Sequence, residues 1–273
     1  QSQDNSDNQT TITNAKNLNY RYSPDFFHWS DILTNGEGEK FLSEFDINNS
    51  SQKSIHCTIE TEEEKNLDTL PFPNFDIFQL SKYKTTNCLP LLMTRGCINN
   101  CSFCAERKLY KNKKFRMHSV EYMIELIKYY KKTYNISWFI FNDSLINGDL
   151  NNLSNFCEKL ITEKINIKWE AQVAIRKDMT VEILKLMKAA GCYDIFVGLE
   201  SGSAEILQSL NKNFTPDIAS QFFQNCKTAD LFFEISLILG APNETLKTLN
   251  ETKKFILDNA NFIPKIAQIN EYI

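Results

Sequence analysis

The sequence predicts an α/β fold, a partial (β/α)6 TIM-like barrel of parallel strands over residues 85–273. Three observations predict it. From Leu89 onward, short β-prone apolar runs alternate with amphipathic segments, the order that builds a parallel sheet from βαβ units. Two of the runs, Trp138-Phe139-Ile140-Phe141 and Ile235-Ser236-Leu237-Ile238-Leu239, are apolar at almost every position, as strands buried beneath helices are. At 273 residues the chain is also of the size at which α/β barrels enclose a single core.

In chain order, residues 1–20 read as a disordered arm. They are rich in Asn, Gln, Ser, Asp and Thr without apolar spacing, and bury too little surface to offset chain entropy. Residues 21–84 form an N-terminal segment and linker. Strand one is Leu89 to Thr94. Ser119 then caps a helix carrying Met123, Leu126, Ile127, Tyr130 and Tyr134 on one face, with Glu121 near its positive end. Strand two, Ile136 to Asn142, precedes a second helical stripe of Leu153, Phe156, Leu160 and Ile161. After strand three, Lys168 to Ala174, Thr180 caps a helix through Val181, Leu184 and Met187 that Gly191 stops. Strand four is Asp194 to Glu200, and Ser203 opens a short helix through Ile206 and Leu210. Thr215-Pro216-Asp217 starts another helix, with proline at its first position. Strand five, Leu231 to Gly240, leads to a helix capped by Asn243 and reaching Leu257, and strand six is Lys265 to Ile273. Right-handed crossovers place the functional loops at the carboxyl ends of these strands.

The loop after strand one holds the clearest chemical signal. Cys97, Cys101 and Cys104 lie within Arg95-Gly96-Cys97-Ile98-Asn99-Asn100-Cys101-Ser102-Phe103-Cys104. Thiolates at spacings of three and two wrap one centre, and soft sulfur selects iron–sulfur clusters, zinc or Cu(I). Three ligands on a cube leave one iron open to an outside molecule. A structural zinc site wants four ligands, usually as close pairs, whereas Cys57, Cys88, Cys157, Cys192 and Cys226 are scattered singly and His118 stands alone. The scattered cysteines read as small buried apolar residues, Cys157 on a helix face and Cys192 before a strand. Eight cysteines also permit disulfides, but no secretory signal is visible and three of the thiols are clustered.

A net charge of −4 gives no basic field for nucleic acid. The run Arg107-Lys108, Lys111, Lys113, Lys114 and Arg116 either steers an anionic substrate or is a solvated surface. No apolar run approaches the length of a membrane span. The chain begins at Gln1 with no signal core, and reads as an excerpt or a processed chain with a cytoplasmic location.

At the cysteine loop the chain resembles the radical S-adenosylmethionine (radical SAM) superfamily, whose members carry Cys-x3-Cys-x2-Cys after the first barrel strand with an aromatic residue, here Phe103, before the last cysteine. The resemblance implies a [4Fe-4S] cluster on Cys97, Cys101 and Cys104, whose free iron chelates S-adenosylmethionine and whose reduced form cleaves it to a 5′-deoxyadenosyl radical. It implies an electron donor such as flavodoxin or ferredoxin and a small-molecule substrate. Asp143, after strand two, matches a position that approaches the methionyl amino group, or else turns the loop. Arg176 resembles the arginine after strand three, and meets either a carboxylate or a surface acid. Val197-Gly198-Leu199-Glu200-Ser201-Gly202-Ser203 resembles the segment that touches S-adenosylmethionine, which assigns Gly198, Glu200, Ser201 and Gly202 to cofactor binding. Ile238-Leu239-Gly240-Ala241-Pro242-Asn243-Glu244-Thr245 is similar to the family's Ile-x-Gly-x-Pro-Gly-Glu-Thr, which puts Ile238 and Gly240 against adenine. Ser236 and Asn243 stand where many members have glycine.

Leu67-Asp68-Thr69-Leu70-Pro71-Phe72-Pro73-Asn74-Phe75-Asp76 resembles the linker of the cobalamin-dependent branch, which implies methyl transfer as an extension. The Asp-x-His-x-x-Gly motif is absent, since His28 and His56 lack its neighbours, so bound cobalamin is not expected for these residues. Two other readings stay open: a methylthiotransferase acting on RNA or protein, and a non-enzymatic zinc or iron–sulfur module.

Overall fold

A computed structural model describes residues 12–14, 32–35, 37–44, 57–85, 87–106 and 115–272. Most of the expected arm, and the basic run apart from Arg116, lie outside the described residues. The chain divides into two compact units, Gln1–Lys65 and Asn66–Ile273. In the first, β1 (Ile12–Asn14), β2 (Ile32–Asn35) and β3 (Cys57–Glu60) make a three-stranded sheet, with helix α1 at Glu39–Glu44. There β3 is central, antiparallel to β1 and parallel to β2.

The second unit carries all six predicted strands: β4 (Cys88–Leu91), β7 (Trp138–Phe141), β8 (Lys168–Val173), β9 (Cys192–Glu200), β10 (Phe232–Leu239) and β11 (Lys265–Glu271). They lie side by side in chain order, every pair parallel, with β4 and β11 at the edges. The crossovers run through α2 (Val120–Tyr134), α3 (Leu150–Thr162), α4 (Val181–Ala189), α5 (Ala204–Ser209), α6 (Pro216–Thr228) and α7 (Leu246–Asp258). This is the partial barrel expected from the alternation.

Among the described residues, helices cover one face of the sheet. Leu89, Leu91, Phe139, Phe141, Trp169, Val173, Ile195, Val197, Phe233 and Ile235 pack there against Ile127, Phe156, Leu184 and Phe223. The alternate positions, Trp138, Ile140, Lys168, Glu170, Asp194 and Glu234, line the concave face and are half-buried or exposed. The two-sided burial expected of Trp138-Phe139-Ile140-Phe141 is therefore one-sided. A barrel covers the outer face of each strand with helices and turns the inner face to a lumen. Cys157, Cys192 and Cys226 are buried, as expected of small apolar residues, whereas Cys88, on the edge strand β4, is only half-buried.

Four helix starts follow the sequence. Ser119, Thr180 and Thr215 each accept a hydrogen bond from a backbone N–H three residues on, and Ser203 occupies the cap of α5. Two expectations are corrected. Thr245, not Asn243, caps α7, because its side chain and that of Thr248 satisfy each other's backbone N–H groups, while Asn243 takes a left-handed turn at φ 68°. Ile161, read as part of the apolar stripe of α3, sits on that helix's solvent edge, 42% exposed.

The linker is strapped to α2 by aromatic contacts. Phe72 packs on Tyr122 and Tyr129, and Phe75 on Tyr130 and Tyr134. Tyr130 donates to the Pro73 carbonyl at 2.9 Å, and the Phe75 N–H donates to Tyr134 at 3.1 Å. Asp68 accepts from the Ser119 N–H at 2.9 Å and pairs with His118 at 3.2 Å. Burial opposes the charge on Asp68, but the bonds from Ser119 and His118 prevail and hold it below the ordinary carboxylate range. Among the described residues no helix is long and apolar enough to cross a membrane.

Candidate active site

Strand one ends three residues before the expected Thr94, and the reason is Asp143. This carboxylate, fully buried after β7, accepts from the Met93 N–H at 3.1 Å and also from the Thr94 N–H. Both amides are thereby drawn away from the β4 ladder. Thr94–Arg95 (β5) instead pairs antiparallel with Arg116–Met117 (β6), so the cysteine loop hangs from its own short ribbon. Burial raises Asp143 to about 6 against the pull of these bonds. Its side chain thus braces the exit of strand one.

Cys97, Cys101 and Cys104 are all half-buried in that loop. Burial pushes the Cys97 thiol up; the Asn99 N–H opposes this, and the charges of Cys101, Cys104 and Glu106 add to it. Burial likewise raises Cys101, with Lys212 lowering it and Cys104 and Glu200 raising it. Thiols that disfavour one another's ionisation are close enough to share a field, and metal ligation would release their protons. Among the described residues no group of three His, Cys, Asp or Glu side chains forms a ready single-ion site. A cube takes one thiolate per iron, so its ligands need not converge on one point. The donor set, three soft sulfurs on one loop at a barrel mouth, fits such a cluster.

Opposite the loop, β9 ends in a bulge. Ser236 pairs with Gly198 and Leu237 with Glu200, leaving Leu199 as the extra residue. Glu200 then sits at φ 68°, a strained backbone for a side chain of this size. Its carboxylate accepts from Lys212 at 3.2 Å and from the Ser236 hydroxyl at 3.1 Å. Lys212 is almost buried, its side chain 11% exposed, and stands over the rings of Phe103 and Phe214 at 5.7 and 5.5 Å. A Cβ on Gly198 would lie 2.4 Å from a Glu200 oxygen and 3.4 Å from the Lys212 ammonium. Gly198 is thus the floor on which the pair rests.

The other predicted positions separate into two groups. Phe103, Gly198 and Glu200 are brought together with the cysteines. Ser201, Gly202 and Arg176 are turned to structural partners. Ser201 shares a hydrogen bond with Thr252 at 2.8 Å, and the Gly202 N–H donates to the same hydroxyl at 3.1 Å. A Cβ at Gly202 would meet Phe255 at 2.5 Å, so the close approach this glycine permits is to α7. Arg176 donates to Asp178 at 2.7 Å and to the Asn147 and Gly148 carbonyls at 2.6 and 2.9 Å. Ile238 is buried at the end of β10, and Gly240 turns with φ 79° while its N–H donates to Glu244 at 2.6 Å. Ser236, standing where glycine is common, is a partner of Glu200, and the left-handed φ of Asn243 accounts for glycine being usual there.

Sequence reasoning missed Lys212. No periodicity or spacing singles it out; the one trace is a lone cation between apolar Leu210 and Phe214. Chemically, the mouth pairs thiols with a buried ammonium able to receive a carboxylate and a carboxylate able to accept from a hydroxyl or an amine.

The model of the Radical SAM superfamily matches residues 91–256. An uncharacterized methyltransferase of Pyrococcus horikoshii is 31% identical over 193 residues, 70% of this chain and 42% of that protein. The anaerobic magnesium-protoporphyrin IX monomethyl ester cyclase of Cereibacter sphaeroides is 24% identical over 257 residues, 84% of this chain and 41% of that one. The chain therefore spans about two fifths of these relatives. Among solved structures, the cobalamin-dependent S-adenosylmethionine radical enzyme OxsB, with aqua-cobalamin and S-adenosylmethionine bound, superposes with a TM-score of 0.65 at 24% identity, over 85% of this chain and 36% of OxsB. Since the matched span takes in the cysteine loop, strands β7 to β10 and the Glu200 bulge together, this chain belongs to the radical SAM superfamily.

Proposed function

We propose that the chain is the S-adenosylmethionine-cleaving barrel of an enzyme that starts radical chemistry on a small molecule, with methyl transfer as its outcome. One observation carries the reading: the three thiols of the strand-one loop stand at the same mouth as the Glu200–Lys212 pair. In this reading Cys97, Cys101 and Cys104 hold a [4Fe-4S] cluster. When bound, the cluster supplies the electron that splits the sulfonium of S-adenosylmethionine. The residues of the chain do the rest. Lys212 receives the methionyl carboxylate, Glu200 accepts from the amine or a ribose hydroxyl, Phe103 covers the entrance, and Ile238 with the Gly240 turn offers the adenine an apolar bed. Asp143 and Arg176 support their loops, and Ser201 and Gly202 fasten the bulge to α7.

Methyl transfer is supported by the name of the Pyrococcus relative. Membership of the superfamily sets aside the non-enzymatic module. A methylthiotransferase normally carries Leu-Pro-x-Gln-Ser-Gly-Ser where this chain has Gly-Leu-Glu-Ser-Gly-Ser. An electron donor of the flavodoxin or ferredoxin type completes the proposal.

Anaerobic loading with iron and sulfide, followed by optical and electron paramagnetic resonance spectra, tests it. About four irons per chain, with a reduced signal that changes on adding S-adenosylmethionine, is the expected result. Cys101→Ala is expected to lose both the signal and 5′-deoxyadenosine formation. Stable zinc without iron, or product that survives this substitution, overturns the assignment.

A further inference from the structure

The turn that follows α5, Ser209 to Asn213, holds the cysteine loop from outside. The Ser102 N–H donates to the Leu210 carbonyl at 3.0 Å and its hydroxyl to the Ser209 carbonyl at 3.2 Å. The Asn211 side chain donates to the Asn100 carbonyl at 2.6 Å, and that of Asn213 to the Asn99 side chain at 3.0 Å. Lys212 stands over Phe103 at 5.7 Å. Of the five residues that separate the cysteines, only Ile98 has no such contact described. Within the loop two bonds are described, 3.4 Å from the Asn99 N–H to the Cys97 sulfur and 3.3 Å from the Cys104 N–H to the Cys101 carbonyl, fewer than the neighbouring turn supplies. The shape of the loop is thus imposed by a neighbour more than by itself.

The turn is in turn fixed. Asn211 occupies the left-handed region at φ 54°, which asparagine tolerates better than most residues. The Ser209 hydroxyl donates to the Ile206 carbonyl at 2.9 Å and lies 3.3 Å from the Pro242 carbonyl. Ile206 and Leu210 pack with Ala241 beneath it.

We infer that Asn211 and Asn213 are positioning residues that preform the cysteine loop before any cluster arrives. A loop ordered in advance spares cluster binding the entropy of fixing its residues, and slows the opening through which a bound cluster is lost. The inference rests on the proposed cluster ligands, but its first readout does not need the cluster.

The variants are Asn211→Gly, which keeps the left-handed backbone at no steric cost and removes only the amide bond, Asn213→Ala, and the two together. Asn225→Ala, which removes a bond to the Met179 carbonyl in the turn before α4, serves as control. In the reduced, cluster-free protein, amide exchange over residues 99–104 is expected to quicken about fivefold for each lost bond, and not in the control. Iron release from the loaded protein to a chelator is expected to quicken in the same order, with Asn213→Gln, which restores a donor, recovering most of the wild-type rate. Unchanged exchange in the double variant overturns the inference, whether or not the protein binds iron. Equal quickening in the control overturns it too. A wild-type chain that takes up no iron refutes the functional reading, and the exchange measurement still decides the clamp.

Discussion

At Glu200 a carboxylate, an ammonium and a hydroxyl meet on a residue whose backbone is itself strained, which is where binding groups concentrate. The pair with Lys212 is nearly dry, so neither charge is screened as a surface pair would be. Gly198→Ala puts a methyl group where a Glu200 oxygen now lies. The side chain must swing off Lys212, and binding of S-adenosylmethionine to the loaded protein, followed by equilibrium dialysis, is expected to weaken about tenfold. Unchanged affinity would remove Glu200 from the binding site. Asp143 makes a different demand, because its carboxylate is the sole described acceptor for two buried amides of the strand-one exit. Asp143→Ala strands both, and a loss of about 3 kcal/mol in urea unfolding is expected.

Elements differ in how plainly they were written in the chain. Short β-prone apolar runs marked every strand of the barrel, and Ser119, Thr180 and Thr215 marked helix starts, because those signals act within a few residues. The β5–β6 ribbon left no such trace, since two residues of pairing have no period and their partner lies beyond the cysteine loop. The linker strap was equally hidden. Its Phe72 and Phe75 find α2 tyrosines more than forty positions away. Phe75→Ala is expected to release that strap, with limited proteolysis around residues 71–83 quickening roughly tenfold while the barrel keeps its unfolding midpoint to within about 1 kcal/mol. A full loss of cooperativity would instead make the strap part of the core.

Across the whole barrel, acids from neighbouring strands share the lumen. Asp194 lies between Glu170 on β8 and Glu234 on β10, with Lys265 on β11 and Lys168 and Tyr193 beside them. Burial, and then the charges of Glu234 and Glu170, lift Asp194 to about 7. The folded chain therefore keeps a proton there that an unfolded aspartate has released by about pH 5. Its contribution is fully present below the unfolded value and is lost as pH rises through about 7. Asp194→Asn is expected to raise the thermal midpoint relative to wild type above pH 7, with the gain vanishing toward pH 4. A gain independent of pH would show that the carboxylate is not the strained group.

The chain by itself determined the alternation of strands and helices, their parallel order, most helix caps and the three-thiol loop. Each of these follows from periodicity or from residues close together in sequence. Only tertiary structure decided which motif residues face the mouth. Glu200 and Ser201 are adjacent, yet a bulge of one residue turns the first to Lys212 and the second to α7. Lys212, Asn211 and Asn213 gain their roles from a loop more than a hundred positions earlier. Local pattern reports which face of an element is apolar, whereas a site is assembled from strand ends whose closeness arises only when the sheet curls.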